Sequence, residues 1–269
     1  MRASAKPSEL RCARRLTTAF GAVLLTAATA GPALAAGCDY QPQGEGRVAA
    51  ILDGRSFRLE DGREVLLAGI EPVAPDKAAV NRAPALAAIL SGREVELRGA
   101  DDTPDRYGRQ PAFVFVVAAE TPVQAELLAR GEALVSGTVT DKECASLLTA
   151  AEATARQARR GIWSNAAAIK NPESPGDILA GIGRFTVVEG RVLSVRQSGA
   201  TTYLNFGRNW TRDFAVTISR RTLSAFEAAG MAPKSLENQR IRVRGWVEAR
   251  GGPRIKVLRV GQIERLGGN

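Results

Sequence analysis

Histidine is absent from all 269 residues. That removes Ser-His-Asp and Cys-His catalysis, histidine zinc sites and any imidazole general base. Glycine-rich phosphate loops of the P-loop or dinucleotide type are missing too. Aromatic residues make up only 5% of the chain and cysteines number three. The one long apolar run, residues 19–30, is shorter than the roughly 20 residues a bilayer-spanning helix needs. What precedes and follows that run gives it a meaning. Arg11, Arg14 and Arg15 stand before it and Ala33-Leu34-Ala35 after it, the pattern of a cleaved targeting segment over residues 1–36. A lipoprotein site ending at Cys38 is the alternative. Either way the mature chain is expected outside the cytoplasm, secreted or periplasmic, with no transmembrane segment.

Export gives the cysteines their reading. Cys12 leaves with the leader, and Cys38 and Cys144 remain as an even pair in an oxidising compartment. They are expected to form a disulfide; two unrelated buried thiols are the alternative. Charge divides the mature chain. Residues 37–180 hold 16 basic and 21 acidic side chains, whereas residues 181–269 hold 16 basic and six acidic. The basic surface therefore belongs to the second half.

Strand and turn signals alternate along the first half. Arg47–Leu52, Ser56–Leu59 and Glu64–Leu67 are short β-type runs separated by Asp53-Gly54 and Asp61-Gly62, both strong hairpin signals. A first helix is expected within residues 76–90, kinked near Pro84 and ended by Gly92, then strands at Glu94–Leu97 and Ala112–Val117. Thr121-Pro122 opens a second helix with a capping box and proline at its first position. Thr140 to Glu143 opens a third, whose apolar face carries Cys144, Leu147, Leu148, Ala151 and Ala155. Trp163 reads as a core plug.

The stretch Gly46–Ile70, the run Asp105-Arg106-Tyr107-Gly108-Arg109 and the closing Gly161-Ile162-Trp163 together resemble the staphylococcal-type thermonuclease family over about residues 44–165. The resemblance implies a five-stranded OB barrel with three helices. It also implies calcium-dependent phosphodiester hydrolysis: two aspartates and a backbone carbonyl hold Ca²⁺, a carboxylate works on water, and two arginines clamp phosphate. Several of those positions have changed. Where the family reads D-G-D-T, this chain reads Asp53-Gly54-Arg55-Ser56, a cation in place of a metal ligand. The first clamping arginine is Leu66, the second metal aspartate is Glu71, and the catalytic glutamate falls on Ala74, or on Asp76 after a two-residue slip. The second clamp survives as Arg109, beside Arg106 and Tyr107 on the substrate side; it reads equally as a salt bridge within its own loop. The aromatic pair after the second helix has become Gly137 and Val139. Activity is expected to be lost or feeble, with no cofactor or a weakly held Ca²⁺.

Residues 166–182 hold Pro172, Pro175, Gly176 and Gly181 and read as a linker. Glu189-Gly190-Arg191-Val192 then echoes Glu45-Gly46-Arg47-Val48. Five further strand-like runs with one helix, Leu223–Ala229, suit a second barrel over residues 183–269. The fold class is thus a β-barrel with helices (α+β): a nuclease-type OB domain over residues 37–165, followed by a small basic OB-like one. Arg240, Arg242 and Arg244 alternate along a strand and are read as a polyanion-binding row for single-stranded nucleic acid or another polyanion. Tyr203, Phe206, Phe214 and Trp246 read as core, or as stacking partners. A binding scaffold is the leading expectation. An active nuclease built from Glu71, Asp76 and Arg109 is one rival, and two barrels that mainly pack on each other, basic on acidic, is another.

Overall fold

The two Asp-Gly signals fold as turns closed by their own aspartates. Asp53 Oδ1 accepts the Arg55 amide at 2.8 Å and Asp61 Oδ1 accepts that of Arg63 at 3.0 Å. They link β1 (Gln41–Ile51), β2 (Ser56–Leu59) and β3 (Glu64–Leu67). The computed structural model describes Cys38, residues 40–73 and residues 83–267. The targeting segment, Ala74 and Asp76 lie outside the described residues. A short β4 (Ile70–Pro72) follows, then α1 (Ala83–Leu90), β5 (Glu94–Gly99) and β6 (Arg109–Val116). These strands close a barrel in the order β1-β2-β3-β6-β5, with β3 and β6 parallel. Phe57, Leu59, Leu67, Leu97 and Phe113 fill it and are fully buried. They come from inward-facing positions of alternating strands, as period-2 patterning requires.

Two helices pack on the barrel, α2 (Val123–Arg130) and α3 (Lys142–Gln157), with β7 (Ala133–Val135) between them pairing β4. Pro122 is the N-cap of α2 and makes no side-chain cap, so neither the capping box nor proline inside the first turn is realised. In α3 the cap is Asp141, which accepts the Cys144 amide at 2.8 Å. Cys144 lies on the core side of that helix and is bonded to Cys38, 106 residues earlier. Closing a loop of that length stabilises the fold by up to about 4.7 kcal/mol in the chain-entropy picture.

The stretch expected as a linker is folded onto the rest. It contains β8 (Ile169–Lys170), paired with the next strand, and the short α4 (Pro175–Leu179), whose Ile178 is fully buried. Then come β9 (Phe185–Arg191), β10 (Ser194–Ser198), β11 (Thr201–Asn205), β12 (Ala215–Ser219), α5 (Arg220–Ala228), β13 (Arg240–Arg250), β14 (Gly252–Val257) and β15 (Ile263–Arg265). The sheet order is β10-β11-β12-β14-β13-β9-β8, with β12 and β14 parallel. Only Val192 and Leu193 separate β9 from β10, so the two are halves of one interrupted strand and the sheet curls round. Counted that way the strand order repeats that of the first barrel, 1-2-3-5-4, including its parallel 3–5 pair. Its interior is a second core around Leu204, Phe214, Val216, Phe226 and Ile255.

Among the described residues the two barrels form one compact unit. A third apolar cluster joins them, with Val73, Leu134, Ala155 and Trp163 from the first half and Phe185 and Val187 from β9. Beside it lies a buried ion pair. Arg244 of β13 reaches Glu152 of α3 with Nη1 at 3.0 and 2.9 Å from the two carboxylate oxygens, and also donates to the Val135 carbonyl at 3.1 Å. Glu152 in turn accepts the Val135 amide at 2.8 Å. The Arg244 side chain is 3% exposed and that of Glu152 0%.

Removing one member of such a pair strands a charge where water cannot reach it. Arg244→Ala should destabilise the protein by about 3–5 kcal/mol. The double change Arg244→Met with Glu152→Leu, which removes both charges, should recover most of that loss in urea unfolding. A single Arg244→Ala effect below about 1 kcal/mol would show the pair to be dispensable.

Candidate functional site

Two places collect the side chains that the sequence marked. The first is the rim of the nuclease-like barrel. Asp105 organises its loop: Oδ1 accepts the amides of Tyr107 (2.8 Å) and Arg109 (3.1 Å), and Oδ2 accepts Arg109 Nε (3.0 Å) and Nη2 (2.7 Å). Arg109 therefore takes the salt-bridge option within its own loop. That bond, above all, holds the Asp105 carboxyl below the ordinary aspartate range, against a small opposing effect of burial. Tyr107 is 65% exposed, and the guanidinium carbons of Arg106 and Arg109 stand 4.7 and 5.2 Å from its ring centre. An exposed ring flanked by two cations remains on this rim.

Glu71 sits at the end of the barrel on β4. Its carboxylate is 2.6 Å from Arg55 Nη1, and both side chains are largely covered, 12% and 23% exposed. Burial pushes the Glu71 carboxyl above the usual glutamate value, while Arg55 and then Arg109 pull it down. Arg109 is thus close enough to act on Glu71, and Asp105, Arg109, Glu71 and Arg55 lie in one neighbourhood. Leu66, at the position of the other clamp, lies half-buried on β3 opposite Ser56. Asp76 falls outside the described residues.

The described donors in this neighbourhood do not fit Ca²⁺. That ion takes six to eight oxygens, several of them carboxylate. Glu71 is committed to Arg55, and Asp53 Oδ1 is committed to the amide of its own turn. Among the described residues no group of three or more Asp, Glu, Cys or His side chains could hold a metal.

The loop after β7 has also changed its use. Gly137 has φ of 73°, and a Cβ there would come within 2.5 Å of the Gly261 carbonyl on the second barrel. Val139 packs against the first core. The base-stacking wall that the resemblance implies is replaced by a close backbone contact between barrels.

The second place is on the C-terminal barrel, and it is not the arginine row. Arg240, Arg242 and Arg244 do share one strand face, but that face is spanned by carboxylates. Arg240 is exposed and bonds Glu189 at 2.9 Å. Arg242 is buried between Glu189 (2.9 Å) and Glu264 (2.8 Å). Burial works against its charge, yet Glu264 and Glu189 together hold its pKa above the ordinary arginine value. Arg244 belongs to the barrel junction. Two of the three guanidinia are thus internal, and the row is an assembly device. The sequence had no way to show this, because the carboxylates come from positions 152, 189 and 264.

A different face carries open cations. Register aligns Arg196, Tyr203, Thr217 and Lys256 across β10, β11, β12 and β14, and beside them Ser194, Asn205, Ala215 and Arg254. The alternate positions, Val195, Leu204, Val216 and Ile255, point into the core. Arg254 stands 5.4 Å from the Tyr203 ring centre, and its Nε is shielded with no hydrogen-bond partner among the described residues. The loop between β11 and β12 rises at the edge. Asp213 Oδ2 accepts the Asn209 amide at 2.8 Å, which holds Trp210 out at 77% exposure. Gly252 lets that loop lie close, since a Cβ there would stand 2.5 Å from the Asp213 carbonyl. Asn205 bonds Ser194 Oγ across the strand pair. Arg196, Arg208, Tyr203, Trp210 and Arg254 line an open groove of about 900 Å³. Phe206 and Phe214, by contrast, are core, 5.0 Å apart. Trp246 is half-exposed and edge-on to Phe185.

The Asp105 bond sets a pH dependence. A carboxyl whose folded pKa lies below its unfolded value contributes stability that is complete above about pH 3.8 and is lost as pH falls through the folded pKa. In an NMR titration the Asp105 carboxyl should therefore titrate below 3.8, and in Arg109→Ala it should rise towards the ordinary aspartate range, the amides of residues 107 and 109 still holding part of the shift.

Residues 81–165 match the family model described as staphylococcal nuclease homologue. The match runs from the edge of α1 through α3 to the end of the turn after Trp163. It starts after the segment that carries Arg55, Leu66 and Glu71. No curated protein matches the chain. Among the described residues no helix is long and apolar enough to cross a membrane. Taken with the closed barrel and the helices packed on it, the match identifies a domain similar to the staphylococcal nuclease homologues in the first half of the chain, over residues 81–165.

Proposed function

We propose that the protein is an exported binding protein in which a catalytically silent nuclease domain is the scaffold. The ligand, single-stranded nucleic acid or a similar polyanion, lies on the outer sheet face of the second barrel. The groove lined by Tyr203, Trp210, Arg196, Arg208 and Arg254 carries the reading. Exposed rings accept bases by stacking, and guanidinia beside them follow the phosphates, which is how OB barrels hold single strands. An excess of ten positive charges over residues 181–269 draws such a ligand towards this half. Two features support catalytic silence: Arg55 occupies Glu71, and Arg109 is engaged by Asp105. The Cys38–Cys144 bond supports an oxidising compartment and so export.

The experiment is binding of a fluorescent DNA 12-mer to the mature protein at several salt concentrations, with Ca²⁺ and with chelator. Trp210→Ala should weaken binding about tenfold, since stacking contributes roughly 1–3 kcal/mol per base. Arg196→Ala and Arg254→Ala should each lower the slope of log K against log salt by about one. Ca²⁺ should change neither binding nor strand length. Metal-dependent cleavage that disappears in Arg109→Ala would instead identify an active nuclease with a site completed by Asp76.

A further inference from the structure

We infer that Arg55 is the resident cation of the first barrel: its guanidinium takes the place of a divalent ion on Glu71 and on the Ile70 carbonyl, so the site excludes metal. This concerns the first barrel and stands independently of what the second one binds.

Arg55 Nη1 lies 2.6 Å from Glu71 Oε1 and 3.4 Å from the Ile70 carbonyl oxygen. One carboxylate and one neighbouring backbone carbonyl are the kind of oxygen pair a hard cation uses. Here a positive nitrogen already faces both. The arginine is held there by its backbone, whose amide is bonded to Asp53 Oδ1 and whose carbonyl accepts the Leu67 amide at 2.8 Å. The side chain therefore leaves a fixed turn and does not sample the site casually. A divalent ion would have to displace a charge-assisted hydrogen bond and then sit against the guanidinium it displaced. Compensation is local: Arg55 cancels the buried charge of Glu71, which would otherwise demand an ion.

The sequence change that installs this cation also removes an oxygen ligand, so reversing it should restore both. Calcium titration by calorimetry, on the full mature protein, compares wild type, Arg55→Asp and Arg55→Ser. Wild type should give no saturable isotherm. Arg55→Asp places a carboxylate beside Asp53 and Glu71 and should bind one Ca²⁺ with Kd on the order of 10⁻⁴–10⁻³ M. Arg55→Ser removes the cation without adding a ligand and serves if Arg55→Asp does not fold. It should bind terbium, a stronger oxygen-seeking probe, at least about tenfold more tightly than wild type. Saturable Ca²⁺ binding by wild type that Glu71→Gln abolishes would overturn the inference. So would the absence of any gain in the variants that fold. Neither result bears on the DNA affinity of the second barrel, which separates a failure here from a failure there.

Discussion

A single guanidinium at the junction, that of Arg244, settles how the chain is built. Glu152 projects from the core-facing stripe of α3, whose other buried members are Cys144, Leu148 and Ala155. A carboxylate there is tenable only if cations meet it: Arg156 of the same helix stands 3.6 Å away, and Arg244 of the other barrel comes closer, to 2.9 Å. The same arginine caps the Val135 carbonyl, and Glu152 caps the Val135 amide, so β7 has its outer polar groups satisfied by the pair. Neither barrel has a complete polar interior alone. The disulfide ties the first described residue, Cys38, to the same helix, two turns from Glu152. Helix α3 is thus fixed at one end by a covalent bond and at the other by the second domain.

This arrangement redistributes the basic residues between two tasks. Guanidinia along β13 neutralise Glu152, Glu189 and Glu264 and hold strands and domains together. Among the described residues Arg196, Arg208 and Arg254 make no ion pair, although Glu248 lies opposite Arg254 in register and Asp213 takes Arg212 at 3.9 Å, so these three stay available to a ligand. Net charge by segment shows where the excess lies but cannot say which side chains make it up. Internal pairs cancel and drop out of the field that an approaching polyanion feels.

The local signals in the sequence carried most of the fold. Asp53-Gly54 and Asp61-Gly62 formed turns because an aspartate can bond the amide two residues on, a purely local event. The Cys38–Cys144 pairing and the strands of both barrels followed from parity and from period-2 patterning. What was hidden depended on partners distant in sequence. Glu152 is one acid within an alanine-rich helix, with nothing local to mark it as buried, and Pro172 and Pro175 carry linker signals although Ile178 beside them is buried. The binding face was only partly legible: the run from Thr202 to Phe214 showed aromatics next to arginines. Strand register turns Tyr203 out and the Asp213–Asn209 bond of the loop holds Trp210 out, whereas Phe206 and Phe214 face in.

Gly137 turns the contact between the barrels into a constraint on the loop after β7. With its backbone in the left-handed region and Gly261 of the second barrel at touching distance, the loop accepts no side chain while the domains remain docked. A side chain at position 137 would first have to separate two domains joined by a shared apolar cluster and a buried ion pair. An aromatic ring at this position and the docked pair of barrels are therefore mutually exclusive, and the junction itself fixes what the first barrel can present on that side.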